Sequence, residues 1–420
     1  MGAFLLVFLF VFFGLDAKVV VGMDRLLTEE CYTSLLKDKR IGLVTNHTAI
    51  CKGHKLAAEK LLNSTYKLTA IFAPEHGFLG NYNAEELVKE DLYKGVVPVH
   101  SLHGQTRRPT KAMFENIDII IFDIQDIGCR SYTYISTLFY VMEEAARYKI
   151  PVIVTDRPNP IGGLVVDGIG IEEKYQSFIG YIDIPYCHGM TIAELAQYFN
   201  SEYKVDCDLT VIPMKGWERS MKFADTGLIW IPTSPHIPEW DSPLFYTICG
   251  VVGQITLVST GIGYTTPFKV IGAPWIDGEF FAKHLNKEGF PGITFIPCHF
   301  KPFFGKFQNQ DCGGVRIVIT DWNKVLPVQS QFLIIGMLKS LYPEKFNKAF
   351  SGVKKEFFCK IAGTEEVFNI LKNEQYATYK LKSLCQVYRK AFLKKRLSYL
   401  LKSYPSGKAN LVYKPLVLCP

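Results

Sequence analysis

The stretch Ile117-Asp118-Ile119-Ile120-Ile121-Phe122 decides the fold, because a short β-branched apolar run that ends in polar residues is typical of a buried strand. Similar runs occupy residues 41–45, 68–73 and 150–154. Helices are predicted between and after these runs, near residues 54–63, 110–116 and 134–149. Near-continuous apolar strands that alternate with helices predict an α/β fold: a parallel sheet covered on both faces, in a Rossmann-like lobe over residues 24–165.

A second, smaller α+β lobe is predicted over residues 166–402, with a tail at 403–420. Pro158, Pro160 and the Gly162-Gly163 pair interrupt the first pattern. Thr191 and Glu194 then form a capping box that predicts a helix start. Further along, the sequence predicts strands near 208–213 and 315–320, a loop tract at 231–276 and helices from about 326 to 400.

The N-terminal residues 1–17 form an apolar segment that is too short for a stable membrane anchor but typical of a signal peptide. We therefore expect export to the periplasm or the cell exterior, with cleavage near Ala17. A buried or interfacial N-terminal segment stays open as the alternative, because no Lys or Arg precedes the apolar run. No later segment is predicted to span a membrane.

Composition excludes little but gives no support for several classes of partner. The net charge of +7 comes from 47 basic and 40 acidic residues dispersed along the 420-residue chain, so we predict no nucleic-acid partner. The 11 cysteines lack the pairing of a zinc site or of a disulfide framework, and we expect no metal. No dinucleotide fingerprint follows the first strand, and we expect no cofactor. The oligomeric state is not predicted.

Polar residues follow all four predicted strands, at the edge where open parallel sheets bind ligands. Glu75 is the sharpest candidate, because it directly follows an apolar strand and stands between Pro74 and His76-Gly77. A partly desolvated carboxyl group beside a titratable neighbour suits a proton donor, although a cap on the next helix is the structural alternative. The candidate binding residues at these strand ends and in the following segments are Asn46, His76, Asp123, Gln125, Asp126, Arg130, Tyr132, Asp156, Arg157 and His188.

Several blocks together resemble the exo-β-N-acetylmuramidase family of peptidoglycan glycoside hydrolases, formerly a domain of unknown function. The similarity runs from about residue 24 to about 402. Its blocks are 72–78, 122–134, 156–160, 188–191, 214–217 and 271–275. The resemblance implies two lobes with the active cleft between them, and release of terminal N-acetylmuramic acid from muropeptides or disaccharides derived from peptidoglycan.

Position by position, the resemblance makes Glu75 the match to the family's catalytic carboxylate. Glu86 keeps the spacing of a second acidic residue and is predicted as its partner, as base or nucleophile. Arg130 is predicted to bind the lactyl carboxylate, since a guanidinium forms two-pronged bonds to such groups. The chain departs from the family around residues 254–262, where Gln254 and Thr260-Gly261-Ile262 replace acidic and Arg-containing motifs.

Three rival functions stay open. The altered 254–262 segment favours a muropeptide-binding protein with reduced or lost catalysis. An esterase or amidase is disfavoured because no Gly-x-Ser-x-Gly elbow is present. A nucleotide-binding protein is disfavoured because both the dinucleotide fingerprint and the phosphate-binding loop are missing.

Overall fold

The computed structural model describes residues 18–83, 86 and 91–407. The predicted signal peptide lies outside them, as does the end of the predicted tail. The described strands are β1 (Arg40–Thr45), β2 (Ile50–Cys51), β3 (Lys55–Leu56), β4 (Lys67–Ala73), β5 (Asp91–Tyr93), β6 (Val97–Ser101), β7 (Ile119–Asp123), β8 (Val152–Thr155), β9 (Leu209–Ile212), β10 (Val270–Ala273), β11 (Ile293–Phe300) and β12 (Cys312–Ile319).

Seven strands form the main sheet in the order β5-β6-β4-β1-β7-β8-β9. All neighbouring pairs are parallel except β5 with β6. Every residue of β7 is buried, as expected for a central strand covered on both faces. The structure confirms the predicted α/β class and the four predicted strands.

Helices cover this sheet and build most of the second lobe. They are α1 (Gly22–Thr28), α2 (Glu30–Thr33), α3 (Ala57–Leu62), α4 (Tyr134–Tyr148), α5 (Ile192–Glu202), α6 (Ser242–Gln254), α7 (Gly278–Lys287), α8 (Pro327–Leu341), α9 (Pro343–Ser351), α10 (Lys355–Ala362), α11 (Glu365–Asn373) and α12 (Ala377–Lys395), with short 3₁₀ turns at Ser34–Leu36, Ala112–Phe114, Glu173–Tyr175, Phe223–Thr226 and Arg396–Tyr399. The capping box predicted at the start of α5 is present, with Thr191 and Glu194 each bonded to the other's backbone. The second lobe places these helices around an antiparallel sheet of order β10-β12-β11.

Three local predictions need correction. The strand β9 was assigned to the second lobe, but it pairs with β8 and extends the main sheet. The segment 110–116 forms only the 3₁₀ turn Ala112–Phe114. The tract 231–276 contains α6 and β10. Pro243 is a loop signal in sequence, yet it occupies the first turn of α6, where proline is tolerated because the backbone needs no N–H donor there.

In the described ranges, no helix combines the length and apolar character needed to cross a membrane.

Candidate active site

A cleft of about 470 Å³ lies between the carboxyl edge of the main sheet and the second lobe. Its first-lobe wall comes from the turn after β4 and from the residues that lead into α4. Its second-lobe wall comes from α6 and from the loops that flank it. The lining residues used below are Glu75, His76, Ser131, Tyr132, Thr133, Ser234, His236, Tyr246, Gln254, Thr256, Ser259, Thr260, Ile262, Lys306 and Phe357.

Glu75 is held in this cleft by the turn that ends β4. His76 and Gly77 both have positive φ, 70° and 77°, and the Gly77 N–H donates to the Pro74 carbonyl at 3.0 Å. A left-handed conformation is uncommon for a residue other than glycine. This tight turn directs the chain back over the sheet edge and leaves Glu75 lining the cleft while 7% exposed.

Two neighbours fix the Glu75 carboxylate. The Thr133 hydroxyl donates to Oε2 at 2.6 Å, and Thr133 is the N-cap residue of α4. His103 Nε2 lies 3.7 Å from Oε1, and its ring packs on Phe178. Both side chains are buried. A carboxylate held on both oxygens in this way has a defined orientation toward the cleft.

Neither Thr133 nor His103 was predicted as a site residue from the sequence. His103 follows β6, which was not predicted as a strand. Its position at the end of a strand was therefore not visible in the sequence. Thr133 lies inside a block that was quoted for the family resemblance, but a threonine before a helix is ordinarily an N-cap.

His76 and Tyr132, two of the predicted binding residues, line the cleft beside Glu75. His76 Nδ1 bonds to the Tyr82 carbonyl at 2.8 Å. The Tyr132 hydroxyl donates to Thr233 Oγ1 at 2.9 Å, and burial raises the pKa of Tyr132. Ser131 Oγ donates to the Tyr186 hydroxyl at 3.0 Å. This wall therefore presents neutral hydroxyl groups that can donate to and accept from a sugar.

The opposite wall carries polar groups that were not predicted as binding residues, although Gln254 and Thr260 were noted as departures from the family. Ser234, His236 and Gln254 line it, together with Ser259 and Thr260. Burial lowers the pKa of His236, and His76 nearby adds to the effect, so the imidazole is neutral near pH 7. Hydroxyl, amide and neutral imidazole groups suit the hydroxyl and acetamido groups of a sugar.

Asp123 and Arg157 lie away from Glu75, at the ends of β7 and β8. Asp123 is fully buried and accepts two hydrogen bonds from Arg157, Nε at 2.6 Å and Nη2 at 2.9 Å. Arg157 and Gln125 line a different cavity, of about 540 Å³. Gln125 Nε2 donates to the Asp126 and Pro158 carbonyls, both at 2.8 Å. The structure therefore does not bring these three predicted binding residues to the cleft.

Asn46, Asp126, Asp156 and His188 are also buried outside the cleft lining, each bonded to nearby backbone. Asn46 Oδ1 accepts from the Thr48 N–H at 3.0 Å, and Asp126 Oδ2 from the Gly128 N–H at 2.7 Å.

Asp156 Oδ1 accepts from the Ala193 N–H at 3.0 Å, and its Oδ2 from the Tyr404 hydroxyl at 2.5 Å. His188 Nδ1 accepts from the Met190 N–H at 3.2 Å. Burial raises the pKa of Asp126 and of Asp156 to about 7, and it lowers that of His188 to about 3. These four side chains organise loops at the sheet edge.

Arg130 requires a correction, because its guanidinium is already bound inside the protein. The side chain is 0% exposed and does not line the cleft. Nη1 donates to the carbonyls of Ile169 at 2.7 Å and Ile184 at 2.9 Å, and Nη2 donates to that of Ile361 at 2.9 Å. Arg130 thus fastens the segment before α4 to α10, and the structure does not place it where it would bind a lactyl carboxylate.

Glu86 lies on the loop that follows the Glu75 turn and is exposed. Its Oε2 accepts from the Asn83 N–H at 2.6 Å, and Oε1 accepts from the Asn83 side-chain amide at 3.3 Å. It is not among the residues that line the cleft. Its role as a second catalytic carboxylate stays a prediction.

Within the part of the chain that the structure describes, no group of three or more His, Cys, Asp or Glu side chains is arranged to hold a metal ion. The cysteines there are free thiols, and all but Cys31 and Cys298 are buried.

A buried, hydrogen-bonded carboxylate in a cleft lined by hydroxyl and amide groups, between two lobes, supplies one of the two carboxylates that glycoside hydrolases commonly use. Comparison with known proteins identifies the family of glycoside hydrolases to which the chain belongs. The models of the N-terminal and C-terminal domains of the exo-β-N-acetylmuramidase NamZ match residues 41–241 and 244–401. The chain therefore belongs to the exo-β-N-acetylmuramidase family.

Individual relatives agree with this assignment. The chain is 42% identical to the peptidoglycan β-N-acetylmuramidase NamZ of Bacillus subtilis over 358 residues, which is 85% of each chain. Two crystal structures of DUF1343 family proteins from Bacteroides fragilis share the fold. One has a TM-score of 0.84 at 36% identity and the other 0.67 at 30%, and each match covers 92% of this chain and 99% of the other.

Proposed function

We propose that the chain hydrolyses the glycosidic bond of a terminal N-acetylmuramic acid at the non-reducing end of peptidoglycan fragments, with Glu75 as the proton donor. The position of Glu75 carries this proposal: its carboxyl group is buried at the junction of the two lobes and is held by Thr133. The name of the Bacillus subtilis relative, a peptidoglycan β-N-acetylmuramidase, supports the substrate.

Breaking a glycosidic bond requires a proton on the departing oxygen, because an alkoxide is a poor leaving group. Glu75 can supply this proton from a fixed direction, since Thr133 and His103 lie against its two oxygens. As the proton leaves Glu75, negative charge develops on its carboxylate, and the Thr133 hydroxyl donates to that carboxylate. The same carboxylate can then accept a proton from the attacking water.

Polar groups on both walls of the cleft serve to orient the sugar. Tyr132 and His76 on one side, and Ser234, Gln254 and Thr260 on the other, offer donors and acceptors to hydroxyl and acetamido groups. A largely uncharged site fits a sugar ring, because an unpaired charge in a closed cleft would cost desolvation energy.

The test is hydrolysis of a chromogenic N-acetylmuramic acid glycoside beside its N-acetylglucosamine analogue. We expect product release from the muramic acid glycoside and a much lower rate for the analogue. Binding of a muramic acid disaccharide without release of product would contradict the proposal and favour a muropeptide-binding protein. Replacement of Glu86 by Gln on the same substrate tests the second carboxylate: an unchanged kcat would remove Glu86 from the mechanism.

Export is a further part of the proposal, supported by the apolar residues 1–17. The muropeptide substrates of such an enzyme are released outside the cytoplasmic membrane. Mass spectrometry of the protein from its native host should find a mature chain that begins near Lys18. A mature chain that begins at Met1 or Gly2 would contradict export through a cleaved signal.

A further inference from the structure

The charges of the cleft are distributed unequally between its walls. Among the described lining residues, Glu75 is the one carboxylate, and Lys306 is the one side chain with a permanent positive charge. The segment 254–262 contributes only uncharged groups, including Gln254, Thr256 and Thr260. Arg130 and Arg157 are engaged elsewhere. Among the described lining residues, Lys306 is therefore the candidate cationic partner for an anionic group of a ligand.

Lys306 is presented by the loop between β11 and β12, and this loop is anchored to the second-lobe wall. The Phe303 N–H donates to the Gly263 carbonyl at 2.8 Å, and the Phe304 ring packs on His236 with centroids 6.0 Å apart. Gly263 has φ 84°, and a Cβ there would lie 2.0 Å from the Phe304 carbonyl oxygen. The close approach requires glycine and fixes the loop beside the uncharged 254–262 segment.

The Lys306 ammonium is available to a ligand. The side chain is exposed, and its Nζ lies 4.8 Å from the centroid of the Phe307 ring. Across the described residues it forms no ion pair. Lys301, on the same loop, is by contrast paired with Asp311 at 3.1 Å.

We propose that Lys306 is the specificity-determining residue that binds the lactyl carboxylate of the muramic acid ring. This inference rests on the proposed function, because the lactyl carboxylate is what distinguishes muramic acid from N-acetylglucosamine. One ammonium placed at the far wall selects for the free acid without adding charge next to Glu75. Conversion of the carboxylate to an amide, as when a stem peptide is attached, removes the partner that Lys306 binds.

The test compares Lys306→Met, which keeps an unbranched chain, with Lys301→Met as the matched control on the same loop. The substrates are a chromogenic N-acetylmuramic acid glycoside and the same glycoside with its lactyl acid converted to a carboxamide. For the free acid, Lys306→Met should raise KM roughly tenfold and leave kcat within about twofold of wild type. A tenfold loss of affinity lies between the effect of losing an exposed ion pair and that of losing a charge-assisted hydrogen bond. Lys306→Arg should retain most of the affinity.

On the carboxamide, wild type and Lys306→Met should have the same KM, and Lys301→Met should match wild type on both substrates. An unchanged KM for the free acid would overturn the proposal, as would equal losses on acid and amide. A loss on amides that carry a stem peptide, without a loss on the free sugar, would assign Lys306 to peptide carboxylates and overturn it too. If the wild type hydrolyses neither glycoside, the proposed function fails, which is a result distinct from these.

Discussion

The two halves of the carboxyl edge of the main sheet use similar residues for opposite purposes. At the end of β4, Glu75 lines the cleft and is held by one hydroxyl and one imidazole. At the ends of β7 and β8, Asp123 and Arg157 bind each other with two hydrogen bonds and are closed to the cleft. Each half contains a buried carboxylate, but only Glu75 faces the space where a substrate fits.

This contrast shows that burial of a carboxylate does not by itself indicate a catalytic role. A carboxylate paired with a guanidinium is already satisfied, and such a pair contributes to the arrangement of the loops. The Glu75 carboxylate is not paired in this way with a guanidinium in the contacts described above, and it faces the cleft. The following predictions test whether the residues around Glu75 serve catalysis and the Asp123–Arg157 pair serves stability.

The largest effect is expected for Glu75→Gln, measured on a muramic acid disaccharide. The amide is nearly isosteric, so folding and substrate binding should be retained. Loss of the proton donor should lower kcat by roughly 10²–10⁴-fold, the usual size of a general acid–base contribution. A kcat within a few-fold of wild type would show that Glu75 is not the acid.

Arg157→Met should affect stability rather than chemistry. It leaves the Asp123 carboxylate buried without its partner, which costs about 3–5 kcal/mol in the free energy of unfolding. Arg40→Met is the matched control, since Arg40 pairs with Asp118 at 2.7 Å at an exposed site and its loss should cost under about 1 kcal/mol. Denaturant unfolding measures both. Equal losses of unfolding free energy for Arg157→Met and Arg40→Met would show that the buried pair contributes no more to stability than the exposed pair.

Thr133→Val should lower kcat about tenfold with little change in KM, because it removes one hydrogen bond that orients Glu75. Thr137→Val is the control: Thr137 is buried on the same helix, and its hydroxyl donates to the Thr133 carbonyl at 3.3 Å. The control should keep wild-type kcat. If both variants lose activity equally, Thr133 acts through helix stability and does not orient Glu75.

Asp126→Asn should change the pH dependence of stability. Burial raises the pKa of Asp126 to about 7 from 3.8, so the folded state holds the proton between these values while the unfolded chain releases it. The contribution of Asp126 to the free energy of unfolding is fully present below pH 3.8 and is lost as the pH rises toward 7. Relative to wild type, the free energy of unfolding of the variant should gain up to about 1.4 kcal/mol per pH unit across that window. Parallel stability profiles would contradict the assignment.

The sequence predicts the sheet well because buried parallel strands are continuous apolar runs, as in β7. It also predicts the position of Glu75 in the cleft, since this residue directly follows β4 at the carboxyl edge of the sheet, but the same rule fails for Asp123 and Asp156, which are bonded inside the protein. The partners of polar side chains could not be predicted. Whether Arg130 binds a ligand or three backbone carbonyls depends on where α10 packs, and that contact joins residues more than 200 positions apart.

Contacts between residues far apart in the sequence also explain why the second-lobe wall of the cleft was not predicted as part of the site. Gln254 was noted only as a departure from the family, and Lys306 was not noted at all, because these residues reach the cleft through the packing of the second lobe and no periodic pattern marks them. Lys306 lies on a loop between two antiparallel strands, of which only β12 was predicted. His103 was missed because β6 is short and its exposure alternates, so it lacks the continuous apolar run of a central strand.

The most direct test of the central claim, that Glu75 protonates the departing sugar oxygen, is the ratio of wild-type to Glu75→Gln rates across leaving groups. A nitrophenol leaves with little need of a proton, whereas the sugar hydroxyl of the natural disaccharide requires one. The ratio should be large on the disaccharide and should shrink strongly on the nitrophenyl glycoside of N-acetylmuramic acid. The same ratio on both substrates would contradict the account and assign Glu75 to binding or to nucleophilic attack.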